Sequence, residues 1–127
     1  MKNILTLTLV FTSFFIYAQN DLEPCQDKKS FNNDQYTGCL NEQGNPEGFG
    51  KMTYENQDVY EGEWINGVRD GNGVFTYING DVYKGSWKNN MKSGRGVFVK
   101  NEDGQTFTSE GVFENNIIIE GKKVVSF

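Results

Sequence analysis

Short patterns recur in this chain every 23 residues, and that spacing constrains its fold more than any other feature. Tyr60-Glu61-Gly62-Glu63-Trp64 returns as Tyr83-Lys84-Gly85-Ser86-Trp87. Gly48 and Gly50 return as Gly71 and Gly73, and again as Gly94 and Gly96. A fixed period of roughly 20–50 residues marks a repeat architecture, in which a unit too small to bury its own apolar face packs against its neighbours. Such a stack presents a long surface more readily than a closed cleft.

Within each unit the apolar residues alternate, which is the period of a strand. Tyr60, Gly62 and Trp64 fall on one face; Val59, Glu61 and Glu63 fall on the other, where both carboxylates are expected to meet solvent. Gly73, Phe75 and Tyr77 continue the first face, as do Tyr83, Gly85 and Trp87, then Gly94, Gly96 and Phe98. Glycine in every segment argues against helix, at a cost of about 1 kcal/mol each. The expectation is all-β: one antiparallel meander of β-hairpin repeats forming an elongated, twisted sheet, with aromatics and glycines on its buried side.

The connections support a meander. Asn79-Gly80 separates two strand patterns and suits the positive φ angles of a two-residue hairpin turn. Asn66 to Asp70 and Asn89 to Ser93 read as longer loops after each Trp. A glycine inside a strand weakens it unless something uses the space. Gly62 and Gly85 are therefore expected to let an aromatic ring from a neighbouring strand lie flat over the backbone.

Residues 1–18 stand apart. Met1-Lys2 is followed by an apolar stretch from Ile4 to Tyr17 and then Ala18, the layout of a secretory signal peptide cleaved before Gln19. The stretch is shorter than the roughly 20 apolar residues of a spanning helix. Residues 19–35 read as a lead-in and residues 36–127 as the repeat domain. In an exported protein Cys25 and Cys39 form a natural disulfide.

The formal charge of −5 excludes bulk electrostatic binding of nucleic acid, which needs a basic face. The chain has no His, so it lacks the commonest general base and metal ligand. The Gly-x-Gly pairs lead into strands and lack the Gly-Lys-Ser/Thr ending of a phosphate loop. Asp70-Gly71-Asn72-Gly73 and Asn101-Glu102-Asp103-Gly104 are too poor in ordered oxygens for calcium and read as turns. No catalytic, metal or cofactor residue is assigned.

Tyr-x-Gly-x-Trp, a loop with Asn-Gly or Asn-Asn, then Gly-x-Gly and an aromatic strand resembles the MORN repeat (membrane occupation and recognition nexus). Tyr60 to Tyr77 and Tyr83 to Val99 match it closely. A weaker copy has Tyr36, Gly38 and Leu40 followed by Gly48-Phe49-Gly50; a degenerate one has Ser109, Gly111 and Phe113 followed by Gly121-Lys122-Lys123. Copies that degenerate at both ends suit capping units. Proteins with such arrays carry them beside lipid kinases, between membranes, in cytoskeletal assemblies and next to a methyltransferase domain, always as the non-catalytic part.

The resemblance implies a non-enzymatic interaction module, binding another protein through a strand face and the post-Trp loops, or associating with itself. Two further readings follow from particular residues. Lys84, Lys88, Lys92 and Arg95 cluster in one repeat and suggest a basic patch for a membrane surface. Trp64 and Trp87, if exposed, would stack on sugar rings. The final apolar segments, Ile117 to Ile119 and Val124 to Phe127, would cap the sheet or pair with a second copy.

Overall fold

The computed structural model describes Cys25 and residues 27–126. The leader expected over residues 1–18 lies outside them. Nine strands form one open antiparallel sheet in simple sequence order. They are β1 (Asp27–Phe31), β2 (Asp34–Leu40), β3 (Pro46–Thr53), β4 (Val59–Ile65), β5 (Val68–Thr76), β6 (Val82–Lys88), β7 (Met91–Glu102), β8 (Gln105–Glu114) and β9 (Ile117–Ser126). No helix occurs among the described residues, and the all-β meander is as the alternation required. The sheet starts upstream of Tyr36, because β1 arises within the segment read as a lead-in.

The core lies on one face, called here the inner face. Tyr36, Met52, Tyr60, Trp64, Phe75, Tyr83, Trp87 and Phe113 are buried there, with Phe31, Leu40, Tyr54, Tyr77 and Phe98 packed around them. The rings meet edge to face: Tyr60 stands 5.0 Å from Trp64 and 5.3 Å from Trp87, both nearly perpendicular. Such pairs add about 0.5–1.5 kcal/mol each beyond the area they bury. Met52 takes the place of Phe75 one repeat earlier, so the 23-residue spacing also points to it, although methionine breaks the aromatic pattern.

Strand pairing brings the glycines into one unbroken row across eight strands: Gly38, Gly50, Gly62, Gly73, Gly85, Gly96, Gly111 and Gly121. Their roles differ from the one expected. The ring over Gly62 belongs to its own strand, Tyr60, and the same ring extends over Gly73 of the next strand. It is therefore the second glycine of each Gly-x-Gly that receives a neighbour's ring: Tyr36 over Gly50, Tyr60 over Gly73, Tyr83 over Gly96. Gly62 answers a different constraint, since a Cβ there would lie 2.5 Å from Gly73 Cα on the paired strand. Each tyrosine hydroxyl then donates to the carbonyl three residues on: Tyr36 to Cys39 at 2.9 Å, Tyr60 to Glu63 and Tyr83 to Ser86 at 3.0 Å.

The register shifts between the glycine and the Trp-type position, where the single residues Cys39, Glu63 and Ser86 face three residues of the next strand: 47–49 of β3, 70–72 of β5 and 93–95 of β7. A bulge of this kind bends its strand and re-aims the next side chain. Trp64 reaches back to donate Nε1–H to the Gly50 carbonyl (3.1 Å), and Trp87 does the same to Gly73 (3.3 Å). Opposite each Trp sits the first glycine of the preceding Gly-x-Gly. Gly71 pairs with Trp87 at φ 109°, a conformation that side-chain-bearing residues avoid.

The turns reverse the expectation from sequence. The post-Trp segments Asn66-Gly67, Asn89-Asn90 and Asn115-Asn116 are tight two-residue turns with positive φ throughout, and on the opposite row Asp103-Gly104 is one as well. At Asn79-Gly80 only Gly80 is positive, and the loop is wider: Tyr77 N–H donates to Asp81 O and Gly80 N–H to Tyr77 O. The reason is that β5 and β7 begin earlier than the glycine pairs suggest, at Val68 and Met91, which leaves two residues for each post-Trp connection.

Both rows of turns are stitched from repeat to repeat. Along the wide-turn row, carboxylates of Asp34, Asp58 and Asp81 accept the N–H of Glu55, Ile78 and Asn101. Along the tight-turn row, the N–H of Gly67, Asn90 and Asn116 donates to the carbonyls of Pro46, Arg69 and Lys92. Cys25 and Cys39 are joined as a disulfide with Cα atoms 4.7 Å apart, pinning the lead-in to the first bulge.

Candidate functional site

The tight turns decide which side chains enter the inner face. Asn66-Gly67 pairs Ile65 with Val68 and Trp64 with Arg69, so Arg69 shares the core side. One repeat on, Asn89-Asn90 pairs Trp87 with Lys92 in the same way. Arg69 lies across four rings, closest to Trp87 at 4.6 Å and Phe75 at 5.2 Å. Its Nη2 donates to the Asn90 carbonyl (2.9 Å) and its Nε to Asn90 Oδ1 (3.3 Å). The Lys92 ammonium lies 4.7 Å from the Phe98 ring centre and 5.1 Å from Tyr83. Each such contact stabilises by about 0.5–1 kcal/mol when exposed and more when desolvated.

Lys29 adds a third cation on this face, 4.8 Å from the Phe31 ring, with its ammonium donating to the Gly44 carbonyl. Among the described residues, neither Lys29, Arg69 nor Lys92 makes an ion pair. The carboxylates of matching strand parity, Asp34, Asp58 and Asp81, sit at the wide turns and cap backbone N–H groups there. The inner face thus carries both signs of charge, with Arg69 in the same cavity as Asp34, Glu55 and Asp58.

This face is a trough. A cavity of about 490 Å³ is lined by Asp34 and Tyr54 near the wide turns, by Pro46, Asn66 and Asn90 at the tight turns, and by Trp64 and Arg69 between them. A second cavity of about 510 Å³ shares Asp34, Tyr54 and Arg69 and opens toward Glu55 and Asp58. Burial raises the Tyr54 and Tyr60 hydroxyl pKa values, with Arg69 opposing it, and pushes Tyr83 up to about 12. These phenols therefore stay neutral at ordinary pH, and those of Tyr60 and Tyr83 donate hydrogen bonds within the fold.

The outer face has a different character. Val59, Thr76, Val82, Val99 and Thr108 form one cross-strand row, β-branched residues that suit a pleated surface. Beside it runs Lys51, Glu61, Val74, Lys84, Val97, Glu110 and Lys122, where Lys51–Glu61 and Glu110–Lys122 oppose unlike charges. Glu63 does more than meet solvent: its carboxylate accepts the Asn72 N–H across the bulge.

The four cations read as one basic patch are divided. Lys84, Lys88 and Arg95 have outer-face parity, whereas Lys92 lies over inner-face rings. Lys88 is paired with Asp70 at 3.0 Å, and this hydrogen bond holds the Asp70 carboxyl below its usual range. Trp64 and Trp87 are only 3% and 4% exposed, which removes the reading in which they stack on sugars. Ile117 and Ile119 are 67% and 60% exposed on β9, the last strand of the sheet.

Of the predicted core, Tyr77 and Phe98 are half-buried and the other aromatic members are buried. Arg69 and Asp81 escaped sequence reasoning. Their signal was the same spacing, which relates Arg69 to Lys92 and Asp58 to Asp81.

No curated protein matches the chain. The family model for the MORN repeat matches residues 42–59, 60–82 and 83–102. Its boundaries at Tyr60 and Tyr83 coincide with the start of each Tyr-x-Gly-x-Trp unit, and the glycine row continues the pattern beyond both ends of the match. On a sheet built by their glycines and aromatics, residues 42–102 of this chain are three consecutive MORN repeats.

Proposed function

We propose that this protein is an exported, non-catalytic interaction module that binds another protein along its inner face. The observation carrying this reading is the trough itself, which crosses successive repeats and takes its walls from both rows of turns. A stack of this kind offers one partner several equivalent contacts in line, as solenoid surfaces do. The Cys25–Cys39 disulfide points to an oxidising compartment, which favours export over residence in the cytosol. Lys92 lies apart from Lys84, Lys88 and Arg95, and Lys88 is engaged by Asp70, which weighs against the membrane-surface reading.

Proximity labelling of the tagged protein in its native host tests the reading. The expected result is repeated recovery of one extracytoplasmic partner whose complex re-forms from the two purified chains. Recovery of none, together with monomeric light scattering and co-flotation with vesicles, would overturn it.

A further inference from the structure

The two outermost strands of the sheet are built differently. β1 has five residues and carries Lys28 and Lys29, the short charged form that blunts an open edge. β9 has ten residues, begins with three consecutive isoleucines and is hydrogen-bonded on one side only among the described residues. Ile117 and Ile119 are largely exposed there. We infer that β9 pairs edge to edge with β9 of a second copy, antiparallel about a two-fold axis at Gly121. This goes beyond the inner-face reading and does not depend on it.

The charge register selects a second copy as the occupant. In a pair related by a two-fold axis each contact occurs twice, so β9 must be complementary to its own reverse. Centred on Gly121, Glu120 of each copy faces Lys122 of the other. Both side chains have outer-face parity, since Lys122 stands opposite Glu110 and Glu120 opposite Val112. Neither makes an ion pair among the described residues. Centres at Glu120 or Lys122 would instead oppose like charges, which is destabilising.

The same arrangement already occurs inside the sheet. Gly50 of β3 opposes Gly62 of β4, and beside them Lys51 opposes Glu61. Glycine opposes glycine in every pairing from β2 to β9, so a Gly121 pair carries that row across the axis. At the other end the row stops, because Gly38 faces Asp27 of β1. The axis stands perpendicular to the sheet, so both inner faces open on one side of a continuous sheet. An arbitrary extended peptide would satisfy the hydrogen bonds of the edge but not its charge register.

The test uses the folded, disulfide-bonded protein. Sedimentation velocity over a wide concentration range should show a monomer–dimer equilibrium that stops at the dimer. By symmetry E120K sets two like-charged pairs beside the axis, as does K122E, and each should weaken self-association at least about tenfold. An equimolar mixture of E120K with K122E restores unlike charges at both places and should dimerise as the unmutated protein does. Should K122E fold poorly beside Glu110, the unmutated protein still reports through amide hydrogen exchange. Protection should rise with concentration along β9 and not along β1. A protein monomeric at every concentration, a mixture of folded variants that associates no better than its parts, protection rising along β1, or growth into longer assemblies would each overturn the inference.

Discussion

Replacing Gly73 by Ala tests the packing logic of the whole sheet. The backbone at Gly73 tolerates alanine, but the added Cβ would stand 2.5 Å from Tyr60 Cε2, far inside contact distance. Tyr60 cannot simply move aside. It is fully buried, meets Trp64 and Trp87 edge to face, and donates its hydroxyl to Glu63 O at 3.0 Å. Overpacking of this kind costs about 1–3 kcal/mol, and losing the hydroxyl bond adds about 1 kcal/mol. The expected loss is therefore about 2–4 kcal/mol for one methyl group.

Gly80→Ala is the matched control. At φ 88° its backbone is unfavourable for alanine, yet nothing lies within 4 Å of the added Cβ. Its cost should be the left-handed conformation alone, about 1–2 kcal/mol. Urea unfolding followed by Trp emission and far-UV circular dichroism, with the disulfide intact, measures both. Replacing Tyr60 by Leu should make a subsequent Gly73→Ala much cheaper, a coupling that a double-mutant cycle resolves. If Gly73→Ala costs no more than Gly80→Ala, or shows no coupling to Tyr60, the ring-over-glycine account of this sheet is wrong.

Trp87→Ala should cost about 3–5 kcal/mol, as other buried aromatics do, read from the same urea midpoints. Glu63→Ala should cost about 1 kcal/mol because it strands the Asn72 N–H, whereas Glu61→Gln should stay within about 0.5 kcal/mol. Reducing the Cys25–Cys39 bond should lower stability by about 3 kcal/mol, seen as a shift in the thermal midpoint with and without reductant. Stability should also fall at alkaline pH. Tyr60 and Tyr83 have folded-state pKa values above the ordinary 10.0, so their contribution is complete below pH 10 and is lost as pH rises toward about 12. A pH–denaturation profile that stays flat through that window would refute their burial as neutral donors.

Fold class and burial pattern were legible from residues alone. Tyr60, Gly62 and Trp64 alternate at the period of a pleated strand, and a second copy 23 residues on makes coincidence implausible. Burial of Trp64, Trp87 and Phe113 follows from that alternation, and the pairing of Cys25 with Cys39 from the presence of two cysteines fourteen residues apart. The turn types were not legible. Asn-Gly occurs at both Asn66-Gly67 and Asn79-Gly80, and only the lengths of the flanking strands determine which connection is tight.

What the tertiary structure alone decided is how strands meet. A period tells which residues share a face of one strand but not which residues stand opposite on the next, because register depends on turn lengths and bulges. The extra residues of β5 and β7 opposite Glu63 and Ser86 shift the register there, which sets Arg69 opposite Trp64 and Lys92 opposite Trp87 beside a row of eight aligned glycines. Cations on a strand normally belong to its solvent side. Here the turn geometry places them on the aromatic side, and a one-residue change in either turn would move them to the other.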